Sequence, residues 1–281
     1  MPDVSAKDVA VLRKQSGAGM MDCKRALEES DGNLDAAKDW LRTKGLAGAT
    51  KRAGRDADQG AIDVVIEGGV AALVEITCET DFVAKSDNFK ATVTTVAAQV
   101  ATLGDADVAS QPLGESTVGE EITQMGSKLG EKIEIGRVVR YATDSGLLDA
   151  YKHVQNGRGV IGVLVELSGV DPSDEKAQAV AHDIALHIAS AAPRYVQRSD
   201  IPVDAIEKER VVLTELTRNE GKPEASIEKI VEGRLNGFFK DYVLMEQGFV
   251  RDAKTSVASL VEGLSATAVV TRFARVKIGE E

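Results

Sequence analysis

The sequence reads as an α+β protein, on three observations. Residues 5–44 carry apolar stripes at helical spacing, broken twice by glycine, as in a small three-helix bundle. The order β-hairpin, helix, closing strand then occurs twice, which implies a duplicated core of two small antiparallel sheet-plus-helix subdomains. The second copy is interrupted by two highly charged helical segments, an inserted antiparallel helical hairpin. The expected domains are residues 1–55, bundle plus linker; 56–142, the first core subdomain; and 143–281, the second, with the hairpin at about 203–240.

Each element has a local reason. Ser5, with Asp8 three residues on, resembles a capping box in which Asp replaces Glu, ahead of Val9 and Leu12. Ser16-Gly17 breaks that helix. Met20, Met21, Ala26 and Leu27 mark a second, ended by Asp31-Gly32. Asn33 caps a third, with Leu34, Ala37, Trp40 and Leu41 inward and Gly45 as the stop. GLAGATKRAGRDADQG, residues 45–60, reads as a linker. AIDVVIE and VAALVEITC around Gly68-Gly69 form a hairpin. A helix follows through Val93, Val96 and Val100, another near 118–129, and then the strand KIEIGRVVRYAT. LLDAYKHV, GVIGVLVEL, a helix through Ala179, Ile184 and Ile188, and AVVTRFARVKI repeat the order. In the inserted hairpin, Ile206, Leu213 and Leu216 are expected to face Ile227, Ile230, Val231 and Phe238 across a narrow seam.

Composition excludes several function classes. The net charge of −11 argues against a nucleic-acid binder, which needs a basic footprint. The charge is uneven: residues 1–55 hold 11 Lys/Arg against 8 Asp/Glu, a surplus of +3, leaving −14 for the rest. Two cysteines, Cys23 and Cys78, make no disulfide framework and suit a reducing compartment. No apolar run reaches a membrane-spanning length, and MPDVSAKDV lacks the charge and apolar pattern of a signal peptide. A cytoplasmic location without membrane contact is the expectation.

No catalytic constellation emerges. His182 and His187 are five apart on one expected helix, so they do not share a face as an i, i+4 metal pair would. There is no phosphate-binding glycine loop. Cys23 and Cys78 read as small buried hydrophobes, the alternative being a cysteine nucleophile. No metal and no cofactor are expected.

Two places stay open from the residues alone. In CETDFVAKSDNF, residues 78–89, Thr80 or Asp81 can cap a helix whose first turn holds Phe82, with Val83 packing inward. Phe82 then reads as core at a strand–helix junction; the alternative is an exposed anchor for another molecule. Met20-Met21 follow a bare Gly17-Ala18-Gly19 start. Either both are core or one turns outward as an adaptable partner contact.

RKQSGAGMMDCKRAL, residues 13–27, together with CETDFVAKSDNF, resembles the translation elongation factor Ts family, and YKHVQNGRGVIGVLVEL and KIVEGRLNGFF look like family segments. Ser16 stands where Thr is common, which keeps a hydroxyl there. The resemblance spans essentially the whole chain and implies a ubiquitin-associated-like first domain, a duplicated core and an inserted helical hairpin. It also implies a function: guanine nucleotide exchange on the GTPase elongation factor Tu, without a bond-making active site. On that resemblance, Asp81 and Phe82, in the segment Thr80–Val83, intrude near the magnesium site of the GTPase. Arg13, Met20, Met21 and Lys24 match the part that contacts the same GTPase domain, and His153 matches a position associated with another domain of the partner. The hairpin is expected in partner contact or self-association. An adaptor without exchange activity and a cysteine enzyme are the alternative functions.

Overall fold

The computed structural model describes residues 4–280. The outer ends of the first and last expected domains, residues 1–3 and 281, lie outside the described residues, as does the start of the segment read for a leader. The chain opens with α1 (Ala6–Ser16), α2 (Met20–Glu29) and α3 (Leu34–Arg52). The Ser5 hydroxyl accepts from the Asp8 N–H, and the Asn33 carboxamide oxygen accepts from the Asp35 and Ala36 N–H groups, so both caps form where expected. Leu12, Cys23, Ala26, Leu27 and Ala37 are fully buried together, with Trp40 against them.

Gly45 does not stop α3. The helix runs two further turns to Arg52, so only residues 53–58 remain of the expected linker. The reason is packing. A Cβ on Gly45 would lie 3.3 Å from Ser127 Oγ and 3.8 Å from Thr123 Cγ2, side chains of α6 (Val118–Leu129). Glycine here permits close helix approach. The contact is fastened by an Arg42–Glu120 ion pair and by Arg52 Nη2 donating to Ser127 Oγ at 3.4 Å.

The duplication is visible in the sheets. In the first half, β1 (Gln59–Glu67) and β2 (Val70–Cys78) form an antiparallel hairpin, followed by α4 (Asp81–Lys85) and α5 (Asp87–Leu103). A small ribbon, β3 (Pro112–Leu113) with β4 (Ser116–Thr117), leads into α6, and β5 (Ile133–Ala142) returns to pair with β2. The second half repeats this with β6 (Leu147–Gln155), β7 (Arg158–Ser168), α7 (Glu175–Ala191) and a closing strand. Before that strand come the inserted helices α8 (Val203–Asn219) and α9 (Glu224–Tyr242), a ribbon of β8 (Gly248–Phe249) and β9 (Asp252–Ser256), and α10 (Val257–Glu262). The closing strand β10 (Val269–Lys277) pairs with β7. The strand orders β1-β2-β5 and β6-β7-β10 correspond one to one.

The two sheets pack face to face with helices outside. Val74, Ile76, Val93, Val96 and Val100 fill the layer under α5; Val163, Val165, Ile184 and Ile188 fill the layer under α7. Between the sheets lie Ile62, Leu73, Tyr141, Leu148, Leu164 and Val276. A central strand covered on both faces loses the apolar–polar alternation, which is why VAALVEITC is a near-continuous apolar run. Close approach needs Gly162: a Cβ there would come within 2.6 Å of Ile62 Cγ2 and 2.8 Å of Leu73 Cδ1. Lys152 Nζ crosses from β6 to donate to Asp63 Oδ1 on β1 at 2.5 Å.

The hairpin of α8 and α9 seals around Ile227, Val231 and Leu235, with Ile206, Leu213 and Phe239 against them. The expected seam is corrected in two places. Leu216 is about half exposed, and fully buried Thr217 takes the seam, its hydroxyl satisfied by the Leu213 carbonyl at 2.6 Å. Phe238 packs on Phe239 and Tyr242 at the base, with ring centroids 5.8 and 4.9 Å away.

Candidate functional site

The strand-to-helix turn after β2 builds an exposed aromatic on a fixed base. The Thr80 hydroxyl accepts from the Val83 N–H and caps α4. Within this five-residue helix Val83 and Ala84 turn inward, leaving Phe82 on the outer side. Phe82 is 84% exposed, so the reading of Phe82 as a core residue is overturned. Ser86 breaks the helix with extended backbone (ψ 143°) and caps α5, whose Phe89 is buried instead. Asp81 pairs with Lys85 one turn on, and that hydrogen bond holds the Asp81 carboxyl below the usual carboxylate range. Beside Phe82 opens a cleft of about 480 Å³ lined by Gln59, Thr80, Lys85, Asn156 and Arg158.

Other charged groups brace this turn from other elements. Arg158, at the start of β7, donates to the Gly60 carbonyl at 2.6 Å and to Gln59 Oε1 at 2.8 Å, tying the second subdomain to the floor of the cleft. Glu131 accepts from the N–H groups of Glu79 and Thr80, and Glu79 accepts from the Lys132 N–H. The Lys132 N–H, followed by Arg55, holds the Glu79 carboxyl below its ordinary range. Sequence reasoning missed Arg55, Glu79, Glu131 and Arg158. The local pattern carries no signal for contacts that span 24 to 99 residues.

The remaining expected site residues lie elsewhere. Met20 and Met21 open α2 and are 58% and 70% exposed, so neither is core. Arg13 lies in the last turn of α1, and Lys24 pairs with Glu28 at 3.7 Å on the outside of α2. His153 is exposed on β6, its Nδ1 3.1 Å from the Tyr151 hydroxyl. The cleft beside Phe82 is not lined by Arg13, Met20, Met21, Lys24 or His153.

The chemistry-bearing side chains elsewhere are engaged. The Cys78 thiol donates to the Thr80 carbonyl at 3.2 Å, and burial pushes it up to about 12, far from a nucleophile's range. Cys23 is fully buried. His182 faces Asp149 at 3.1 Å, and His187 is buried against Gln247 at 2.8 Å. Among the described residues, no three His, Cys, Asp or Glu side chains converge as a metal site would, and no helix is long and apolar enough to cross a membrane.

Known proteins are similar to this chain along nearly its whole length. The family described as Elongation factor TS matches residues 79–280, beginning at the turn that carries Phe82. The chain is 44% identical over 287 residues to Elongation factor Ts of Renibacterium salmoninarum, covering 99% of this chain and 100% of the relative. It is 43% identical over 282 residues to Elongation factor Ts of Clavibacter michiganensis subsp. michiganensis, with 99% and 100% covered. It is 42% identical over 292 residues to that of Rhodospirillum rubrum, with 100% and 94% covered. With a family match over most of its length and 42–44% identity at near-complete coverage, the chain belongs to the elongation factor Ts family.

Proposed function

We propose that this chain is a guanine nucleotide exchange factor for elongation factor Tu, acting in the cytoplasm during translation elongation. It binds the GDP-bound GTPase, inserts Asp81 and Phe82 near the magnesium and phosphate site, and promotes GDP release. Membership of the family supports the partner. The observation that carries the mechanism is the exposure of Phe82 on a capped helix whose other apolar side chains are buried.

The energetics follow from linkage. A GDP held at nanomolar affinity is bound by about 12 kcal/mol. A protein that binds the GTPase better when its metal and phosphate contacts are disturbed must weaken the nucleotide by the same factor. Burying a phenylalanine side chain contributes roughly 1.5–3 kcal/mol to such a complex. Its stiff ring can displace the side chains that hold the metal. No bond is made or broken, so the chain needs no cofactor, metal or nucleophile of its own.

The first 55 residues supply further affinity through Arg13, Met20, Met21 and Lys24. Exposed methionines suit an adaptable apolar contact, and the surplus of basic residues suits an acidic partner face. His153 contacts a second domain of the partner, and the hairpin adds partner contact or self-association. The test is release of labelled GDP from loaded elongation factor Tu. The chain is expected to accelerate release; a rate equal to spontaneous release contradicts the assignment.

A further inference from the structure

Beyond the last rung of the β2–β5 ladder, Cys78↔Ile133, the two strands part, and their next backbone donors need partners. Two carboxylates supply them reciprocally. Glu131 Oε2 accepts from the Glu79 N–H at 3.2 Å and the Thr80 N–H at 3.1 Å, while its Oε1 accepts from the Thr80 hydroxyl at 2.5 Å. In return, Glu79 Oε1 accepts from the Lys132 N–H at 2.5 Å. Each turn thus holds the other's backbone through a charged acceptor, the stronger kind of hydrogen bond. Arg55 closes the arrangement: its Nη1 donates to Glu79 Oε1 at 3.1 Å and to the Gly130 carbonyl at 3.3 Å, and Lys132 Nζ donates to the Arg55 carbonyl at 3.1 Å.

Thr80 is where this clasp meets the site. Its hydroxyl oxygen caps α4 by accepting from the Val83 N–H, and its own proton goes to Glu131. The oxygen's orientation, and so the first turn that carries Phe82, is set by the carboxylate. α4 has five residues and buries only Val83 and Ala84, too little to fix its own direction.

We propose that Glu131 is a positioning residue for Phe82: it holds the 79–80 backbone and the Thr80 hydroxyl so that the aromatic is presented in one fixed orientation. This rests on the exchange reading above for its consequence, though not for its geometry. Glu79 and Arg55 serve the same clasp from the other side and tie the segment after α3 to the turn.

The test uses the full chain with Glu131→Ala, Glu131→Gln, Phe82→Ala and the double variant Glu131→Ala/Phe82→Ala. Amide hydrogen exchange at Glu79 and Thr80 is expected to rise about ten-fold in Glu131→Ala, the size set by loss of a hydrogen bond to a charged acceptor. Glu131→Gln, which keeps one acceptor oxygen, falls between. GDP release from elongation factor Tu, per folded molecule, is expected to slow in Glu131→Ala, with little further slowing in the double variant relative to Phe82→Ala. A merely structural role would lower the melt without that non-additivity. Unchanged amide exchange at 79–80 overturns the clasp. Normal GDP release in Glu131→Ala, or fully additive losses, overturns the positioning role. If Phe82→Ala alone releases GDP normally, the wedge role of Phe82 fails while the exchange assignment stands, and the positioning role falls with the wedge; the amide measurement still decides whether Glu131 holds the turn.

Discussion

Phe82 and Phe89 are seven residues apart, two turns of a continuous helix, yet Phe89 is 1% exposed and Phe82 84%. The extended backbone at Ser86 separates them. It ends α4 and starts α5 in a new direction, so one aromatic closes the layer under sheet β1-β2-β5 while the other faces out. The pair therefore separates packing from presentation within one short segment. Phe89→Ala is expected to cost about 3–5 kcal/mol of folding stability, as for other buried aromatics. A denaturant titration checks this, and a cost under about 1 kcal/mol, the range of a tolerated volume-conserving swap, contradicts the packing assigned to it.

The Cys78 thiol is raised to about 12 by burial first, with Glu131 adding to the rise. At pH near 8 the thiol therefore stays protonated, and the protonated form is not the nucleophile. Iodoacetamide is expected to leave Cys78 unmodified in the folded chain and to label it only on unfolding. Labelling of the folded chain at the rate of a free thiol would contradict the buried, hydrogen-bonded thiol.

His187 gives a pH dependence. Burial lowers its folded value below the ordinary 6.5, against an opposing hydrogen bond that Nε2 donates to Gln247 Oε1. Nδ1 accepts from the Val250 N–H at 3.2 Å, so the ring is held neutral. Between the lowered folded value and 6.5, the unfolded chain takes up a proton that the folded chain refuses. Its contribution is complete above 6.5 and is lost as pH falls through the folded value. Wild-type stability is expected to fall more steeply than that of His187→Gln over this window. Parallel pH profiles from denaturant titrations would contradict it.

The hairpin seals on its own seam, Ile227, Val231 and Leu235 against Ile206, Leu213 and Phe239. Replacing residues 204–238 by a short Gly-Ser loop is expected to leave the two-sheet core folded, while partner binding, self-association or both fall. Loss of the whole thermal transition would show that the core depends on the hairpin.

Much of this was legible in the sequence, and what was not has identifiable physical causes. The duplication could be read because each half repeats hairpin, helix and closing strand with its own period and turn glycines. Gly45 misled because a glycine that ends a helix and a glycine that lets two helices touch look the same without the neighbouring Ser127. The apolar pattern favours Leu216 over Thr217, because a polar residue enters a seam only when its hydroxyl can bond back to the preceding turn. Phe82 stayed ambiguous in the residues, since the same Thr-Asp start suits an aromatic turned either way; only the inward rotation of Val83 and Ala84 decides it. The Glu79–Glu131 clasp joins turns about fifty residues apart and leaves no local mark.

The most direct measurement is GDP release from elongation factor Tu by Phe82→Ala, paired with a thermal melt of the same variant. An exposed wedge predicts a melt close to wild type and markedly slower release. Affinity is expected to fall roughly 30-fold, from the loss of at least about 2 kcal/mol that a buried interface anchor carries. A melt lowered by many degrees, with normal release per folded molecule, would contradict the wedge and make Phe82 a residue of the core.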